Sequence, residues 1–357
     1  MLELVRIDDL LALARARGAS DLHLGNAGPP TLRIHGALTA LELPPVSTRG
    51  LDGYLERILT PPRFARWQAG RSIDATHREG PGAPYRLHAY RALSSTQLAF
   101  RLLHPVVPVL AELELPDIVR TFTARPNGLI LMTGPTGSGK TTALAALIDE
   151  LNRNCGRVVV TIEDPVEFVH VPLRSIVAHC EIGRDVARYG AALRGFMRAD
   201  PDVILIGEMR DRKTISAALT AAETGHLVLS SLHTNDAAQT VDRILDAFPA
   251  AAQSQVRSQL AATLIAITSL RLIPRLSGDG RAAAAEILIA TDAVRAMIRD
   301  GKTHQLRNAI ATGRATGMRT LESALTELVV RGVVSLEAAR EQANRPTDVR
   351  DVTCTAV

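Results

Sequence analysis

Gly134-Pro135-Thr136-Gly137-Ser138-Gly139-Lys140-Thr141 is the stretch that decides how this chain folds. It has a glycine, four intervening residues, and then Gly-Lys followed by a hydroxyl residue, the spacing of a phosphate-binding loop. Glycines at these positions let the backbone close around phosphate groups with its N–H groups pointing inward. The branched run Leu129–Thr133 before it reads as a strand, and the pattern over 140–152 after it reads as a helix. The positive end of that helix then faces the bound anion. Lys140 is placed to reach the β- and γ-phosphates, and Thr141 offers a hydroxyl to Mg2+. The expected cradle is Gly134, Pro135, Thr136, Gly137, Ser138, Gly139, Lys140, Thr141 and Thr142.

Three more short apolar runs follow, Val158–Ile162, Val203–Ile206 and Leu227–Ser231. Each is nearly continuous, as expected of parallel strands buried on both faces. Helical patterns over 185–199, 211–224 and 236–246 separate them, so this half of the chain reads as a doubly wound α/β domain. The run Leu260–Ile273 reads as a buried helix, and the chain from about 252 onward reads mainly as helix, with a mobile polar tail over 344–357.

The earlier part has a different texture. A short amphipathic helix is expected over 2–17, strands at 21–24 and 31–36, and a helix over 48–59 closed by Pro61-Pro62. A Gly/Pro loop at 80–84 then joins strands at 85–90 and 97–103. Residues 1–103 thus form a small α+β domain. Prolines 105, 108, 116 and 126 mark 104–127 as a linker, partly helical near 117–123, and 128–357 hold the phosphate-loop domain.

Two acids stand at strand ends, where ligands bind in open α/β sheets. Glu163, in Thr161-Ile162-Glu163-Asp164-Pro165, is placed to orient or deprotonate a water, unless the turn is merely solvated. Glu208 ends the run Asp202–Gly207, the second-motif position of phosphate-loop NTPases, where an acid holds Mg2+ or polarises the attacking water. His226 and His233 bracket the fourth strand, and a histidine at its end has the hydrogen-bonding capacity to sense a γ-phosphate. Two histidines without a third ligand do not make a zinc site. Arg86, Arg91, Arg101, Arg194 and Arg198 are candidates for a cation acting late in phosphoryl transfer.

Composition narrows the classes. The 357 residues carry 41 Lys and Arg against 37 Asp and Glu, a net charge of +4. Only three of the cations are lysines: Lys140, Lys213 and Lys302. At 3% aromatic residues the chain offers few base-stacking platforms, which weighs against a nucleic-acid translocase. Cys155, Cys180 and Cys354 are too few and too scattered for a disulfide framework, so a reducing compartment is expected. No run reaches the length of a membrane span. Glu3, Asp8 and Asp9 near the start argue against a signal or transit peptide, so a cytoplasmic location with only peripheral membrane contact is expected.

Taken together, Ala19–Leu24, Gly134–Thr142, Thr161–Glu167, Asp200–Asp211 and Thr220–Thr234 resemble the secretion and pilus motor ATPases, most closely the PilT-like type IV pilus retraction ATPases of twitching motility. The resemblance runs from about residue 18 to 345. It implies a PAS-like first domain and a RecA-like second one, with ATP and Mg2+ as cofactors. It also implies a homo-hexameric ring whose first domain supplies arginines to the nucleotide, and a pilus platform protein of the inner membrane as partner, with no direct nucleic acid. Glu163 then matches the acidic-box glutamate, Glu208 the second-motif glutamate, and His226 and His233 the histidine box. Lys140, Glu163, Glu208 and His233 are the implied catalytic set, with Thr141 and Glu208 at the metal. Ala293–Asp300 is similar to the A-I-R-N-L-I-R-E signature of retraction motors, departing at Val294, Ala296, Met297 and Asp300. Its Ala293, Ala296 and Met297, with Ala290 just before it, fit one helical face, and Arg295 and Arg299 another. Ser94 stands where retraction ATPases usually carry an arginine, about seven residues before Phe100-Arg101, which leaves open a slower or accessory PilU-like motor; a secretion-system ATPase subunit is a further alternative within the resemblance.

Overall fold

The computed structural model of the protein describes residues 6–34, 37–77, 84–102 and 107–350. They fall into two units. One holds the residues up to Val106 together with Asp164–Val169 and Glu181–Asp185, and the other holds the remainder.

In the first unit six strands, β1 (Asp21–Leu24), β2 (Thr31–Ile34), β3 (Ala37–Ala40), β4 (Ile73–His77), β5 (Tyr85–Ala92) and β6 (Ser95–Leu102), form one antiparallel sheet in the order β3-β2-β1-β6-β5-β4. Along the first six residues of β6 and the first five of β5 every second residue is buried, as in a sheet with one covered face. The core includes Leu22, Leu32, Leu87 and Phe100 from strands, and Leu10, Leu51, Leu55 and Trp67 from helices α1 (Ile7–Ala16), α2 (Thr48–Ile58) and α3 (Pro61–Gln68). Three of these elements escape the sequence reading. Pro61-Pro62 opens α3 instead of closing a helix, because proline suits the first helical turn, whose N–H groups have no partner within the helix. β3 is exposed along its length and β4 is short, so neither gives a clear apolar run. The Gly/Pro stretch 80–83, residue 103 and the start of the expected linker, 104–106, lie outside the described residues.

A two-residue turn joins β5 to β6. Ala92 pairs with Ser95, and the residues between them, Leu93 and Ser94, have φ of 47° and 63°. Two positive φ values in succession are the pattern of a type I′ turn, which favours Asn-Gly. Leu93 is fully exposed there.

The second unit is built on a seven-stranded sheet made of β7 (Gly128–Thr133), β8 (Val158–Glu163), β9 (Ile176–Glu181), β10 (Val203–Ile206), β11 (Leu227–Leu232), β12 (Leu264–Pro274) and β13 (Arg281–Ile289), in the order β13-β12-β7-β11-β10-β8-β9. β12, β7, β11, β10 and β8 run parallel. The helices are α4 (Ile118–Thr121), α5 (Lys140–Asn154), α6 (Tyr189–Phe196), α7 (Arg212–Glu223), α8 (Ala237–Asp246), α9 (Ala250–Thr263), α10 (Asp292–Arg299), α11 (Leu306–Thr312), α12 (Leu321–Val330) and α13 (Leu336–Gln342). This is the expected α/β architecture. Before β7, Leu110, Val119 and Phe122 are buried in the same core as Ile130 and Leu147.

The stretch after 252 departs from expectation. Leu260–Ile273 is not one buried helix: α9 ends at Thr263, and β12 follows at once and pairs over nine positions with β13. Lying between β7 and β13 and covered on both faces, β12 loses the alternation that marks a strand, and a continuous apolar run cannot be told from a buried helix by period. The polar tail is also partly packed, since Val349 is fully buried, while 351–357 lie outside the described residues. In α10 the buried side chains are Val294 and Ile298, whereas Ala293 is exposed. The expected apolar face is therefore rotated by about one residue. Arg295 and Arg299 also part company: Arg295 donates to the carbonyls of Ala261, Ala262 and Ala290, and Arg299 is exposed.

Candidate active site

β7 delivers Gly134 to the carboxyl edge of the sheet. A Cβ on Gly134 would stand 2.5 Å from the Leu270 carbonyl oxygen, and its φ is +138°, so only glycine fits. Gly137 and Gly139 also have positive φ, 78° and 93°. α5 then starts at Lys140 with no side chain capping its N-terminus, which leaves the first-turn N–H groups available to an anion. Lys140 is buried, and its Nζ donates to the carbonyls of Gly134 and Pro135, each at 2.9 Å. The loop thus curls around its own cation. The Ser138 hydroxyl is buried and has no hydrogen-bond partner among the described residues. Pro135, Thr136 and Gly137 are exposed, and Thr141 and Thr142 are half-buried at the first turn of the helix. A fixed ammonium, uncapped N–H groups and an unsatisfied hydroxyl fit a polyphosphate.

The acids arrive on other strands of the same edge. Between β7 and β10 lies β11, and beyond β10 lies β8. Glu163 is the last residue of β8 and is buried, on the third strand from β7, roughly 14 Å away at the usual strand spacing. Gly207 packs between the two motifs: its N–H donates to the Ile162 carbonyl at 2.8 Å, and a Cβ there would lie 3.4 Å from Cα of Glu163. Glu208 follows, paired with Arg210 at 2.7 Å and with His233 at 3.5 Å. His233, at the end of β11, reaches Thr136 of the loop with its other nitrogen, at 3.5 Å.

The structure therefore gathers the loop, Glu163, Glu208 and His233 at one edge of the sheet. It does not bring His226 there. His226 precedes Leu227, which pairs with Gly128 at the start of β7, so it sits a whole strand away, roughly 20 Å, at the opposite edge. Its Nδ1 faces the Ala221 carbonyl at 2.9 Å. Among the candidate arginines, Arg101 pairs with Asp21 at 3.0 Å, Arg86 stands 3.9 Å from Asp74, and Arg91 lies over the Trp67 ring at 4.9 Å. Arg198 donates to the Arg194 carbonyl.

Arg210 escapes the sequence reading, although a cation two residues after a strand-end acid was a legible signal. Arg271 and Glu286 escape it too. Both are buried charges inside apolar strands, β12 and β13. Glu286 accepts from the N–H of Ala237 at 2.9 Å, and burial pushes its carboxyl up to about 7.

Comparison with known proteins adds three findings. The family described as type II/IV secretion system protein matches residues 106–357. The type IV pilus retraction ATPase PilT of Pseudomonas aeruginosa is 42% identical over 95% of this chain and 98% of its own length, and a twitching motility protein of Neisseria gonorrhoeae is 41% identical over 88% and 84%. A crystal structure of the pilus retraction motor PilT with bound ADP superposes with a TM-score of 0.88 at 37% identity, covering 96% of this chain and 98% of that one. Fold, phosphate loop and near full-length similarity agree: the chain belongs to the type II/IV secretion system protein family, with a RecA-like ATPase fold.

Proposed function

We propose that this chain is a Mg-ATP-hydrolysing motor, working as a homo-hexameric ring, that powers type IV pilus retraction. The observation that carries the reading is the convergence of a phosphate loop, two strand-end glutamates and His233 at one sheet edge, in a chain that aligns almost end to end with a pilus retraction ATPase. Gly134, Pro135, Thr136, Gly137, Ser138, Gly139 and Thr142 form the cradle, and Lys140 neutralises charge on the transferring phosphate. Thr141 and Glu208 would hold Mg2+, which when bound supplies positive charge at the phosphate oxygens. Glu163 orients and deprotonates the attacking water, and His233 hydrogen-bonds near the terminal phosphate.

In the same reading, residues 1–103 are a PAS-like domain, 104–127 the connection and 128–357 the RecA-like ATPase domain. No helix among the described residues is long and apolar enough to cross a membrane. The proposed place of work is the cytoplasmic face of the inner membrane, against a platform protein of the pilus machine.

The test is paired. Purified chain should hydrolyse ATP with Mg2+, and expression in a strain lacking its retraction motor should restore twitching. Folded protein without turnover, or turnover without restored twitching, overturns the respective half.

A second reading, an accessory motor acting through a partner ATPase, is favoured by one observation. Ser94 at the β5–β6 turn brings no cation, and the neighbouring Arg91 is engaged with Trp67. Negligible turnover alone, with a gain only beside a partner motor, distinguishes it.

A further inference from the structure

Arg271 is among the most buried cations of the described residues, at 5% exposure, within an apolar strand. Burial pulls its pKa down, and the nearby Glu286 and Asp236 pull it back up. A guanidinium does not lose its proton in a protein, so this charge is held inside at a cost. Buried ionic groups contribute little net stability compared with apolar residues of the same shape. What the charge does must therefore be sought in what it holds.

It holds two things. Nη1 donates to the Leu270 carbonyl at 3.0 Å, and that carbonyl is the atom Gly134 approaches at the first residue of the phosphate loop. Nη2 donates at 3.2 Å to both the backbone and the side-chain oxygen of Asn235. Asn235 stands two residues after His233, in the turn that starts α8. That turn is fixed on its other side by Asp236, which caps Gln239, and by Glu286, which accepts from Ala237. One planar fork thus joins the strand that abuts the phosphate loop to the turn that carries His233.

We propose that Arg271 is a positioning residue for the reaction: by clamping Asn235 against β12 it sets the distance of His233 from Thr136 of the phosphate loop. The inference rests on the ATPase reading above. A displaced turn leaves the cradle itself intact, so nucleotide still binds, but the imidazole no longer meets the phosphate. Misplacement of a reacting group by about 1 Å costs up to a hundredfold in rate.

Arg271→Lys keeps the charge and loses the fork. Asn235→Ala, at an exposed position, removes one of the two acceptors and leaves the core untouched. The readouts are kcat for ATP, KM, and the Kd of a fluorescent ATP analogue. The expected result is a kcat lowered about tenfold or more in Arg271→Lys and severalfold in Asn235→Ala, with KM and Kd within about twofold of the parent. Parent-like kcat in Asn235→Ala together with a folded Arg271→Lys, or loss of kcat and nucleotide affinity in step, overturns the positioning role. Should Arg271→Lys fail to fold, Asn235→Ala decides alone. If the parent protein binds the analogue but does not hydrolyse ATP, the ATPase reading fails, and that result is distinct from either variant outcome.

Discussion

Nε2 of His233 stands 3.5 Å from Oε2 of Glu208, while its Nδ1 stands 3.5 Å from the hydroxyl of Thr136. One imidazole therefore spans the second acidic motif and the phosphate loop. The Nδ1 contact is a hydrogen bond shared with the Thr136 hydroxyl, and the Nε2 contact places the ring edge beside the Glu208 carboxylate. Both distances are long, as catalytic contacts often are before substrate closes them. If the two side chains act as one unit, their removal is not additive. His233→Ala and Glu208→Gln should each lower kcat, and the double variant should fall little further. A double-variant loss equal to the product of the single losses would show that they act independently.

Lys140 supplies the ammonium at the heart of the loop and also closes it through the carbonyls of Gly134 and Pro135. Lys140→Ala should lower ATP turnover by about a hundredfold or more and weaken nucleotide binding as well. Glu163→Gln should still bind nucleotide while turnover collapses. Steady-state turnover and analogue binding on the same preparations check both; full activity in folded Lys140→Ala contradicts the assignment of the loop.

Glu286 gives the fold a pH dependence of known sign. Burial raises its carboxyl from 4.5 to about 7, so the folded chain holds the proton more tightly than the unfolded one. Its stabilising contribution is complete below about 4.5 and is lost as pH rises through about 7. Glu286→Gln keeps an acceptor for Ala237 and never ionises. The Tm difference, variant minus parent, should be more positive at pH 8 than at pH 5, and an equal difference at both pH values refutes the shift.

The two arginines of α10 should separate in experiment. Arg295 bonds the carbonyls at the end of α9, whereas Arg299 is exposed. Arg295→Ala should cost about 1–3 kcal/mol, the scale of hydrogen bonds made by a charged group, and Arg299→Ala close to nothing. Denaturant titration reads the difference. Any failure of twitching caused by Arg299→Ala alone is then a coupling effect and not a folding effect.

Leu93 and Ser94 hold positive φ without being glycine or asparagine. Replacing them with Asn and Gly should raise stability by about 1 kcal/mol, since each L-residue in the left-handed region costs roughly 1–2 kcal/mol. A fall in Tm for the double replacement would contradict the turn geometry.

The sequence was most legible where its patterns are local. The strand–loop–helix around Gly134, the acids at the ends of β8 and β10, and the helices over 212–223 and 237–246 could all be read from spacing alone. β12 could not, because a strand covered on both faces shows no alternation. β3 and β9 lie at sheet edges and follow no clear apolar run. His226 and His233 looked equivalent along the chain, and only the pairing of Leu227 with Gly128 puts them at opposite ends of the sheet. Arg271 reaches Asn235 across 36 positions, a distance over which no spacing rule operates.

The scarcity of lysine has a practical consequence for chemistry on this protein. Of its three ε-amines, those of Lys213 and Lys302 are exposed, and that of Lys140 is buried between two carbonyls. An amine-directed reagent meets two lysines on the folded chain. Modification of the third therefore marks the moments when the loop opens, and its rate, followed by mass spectrometry with and without nucleotide, turns one side chain into a built-in clock for the site.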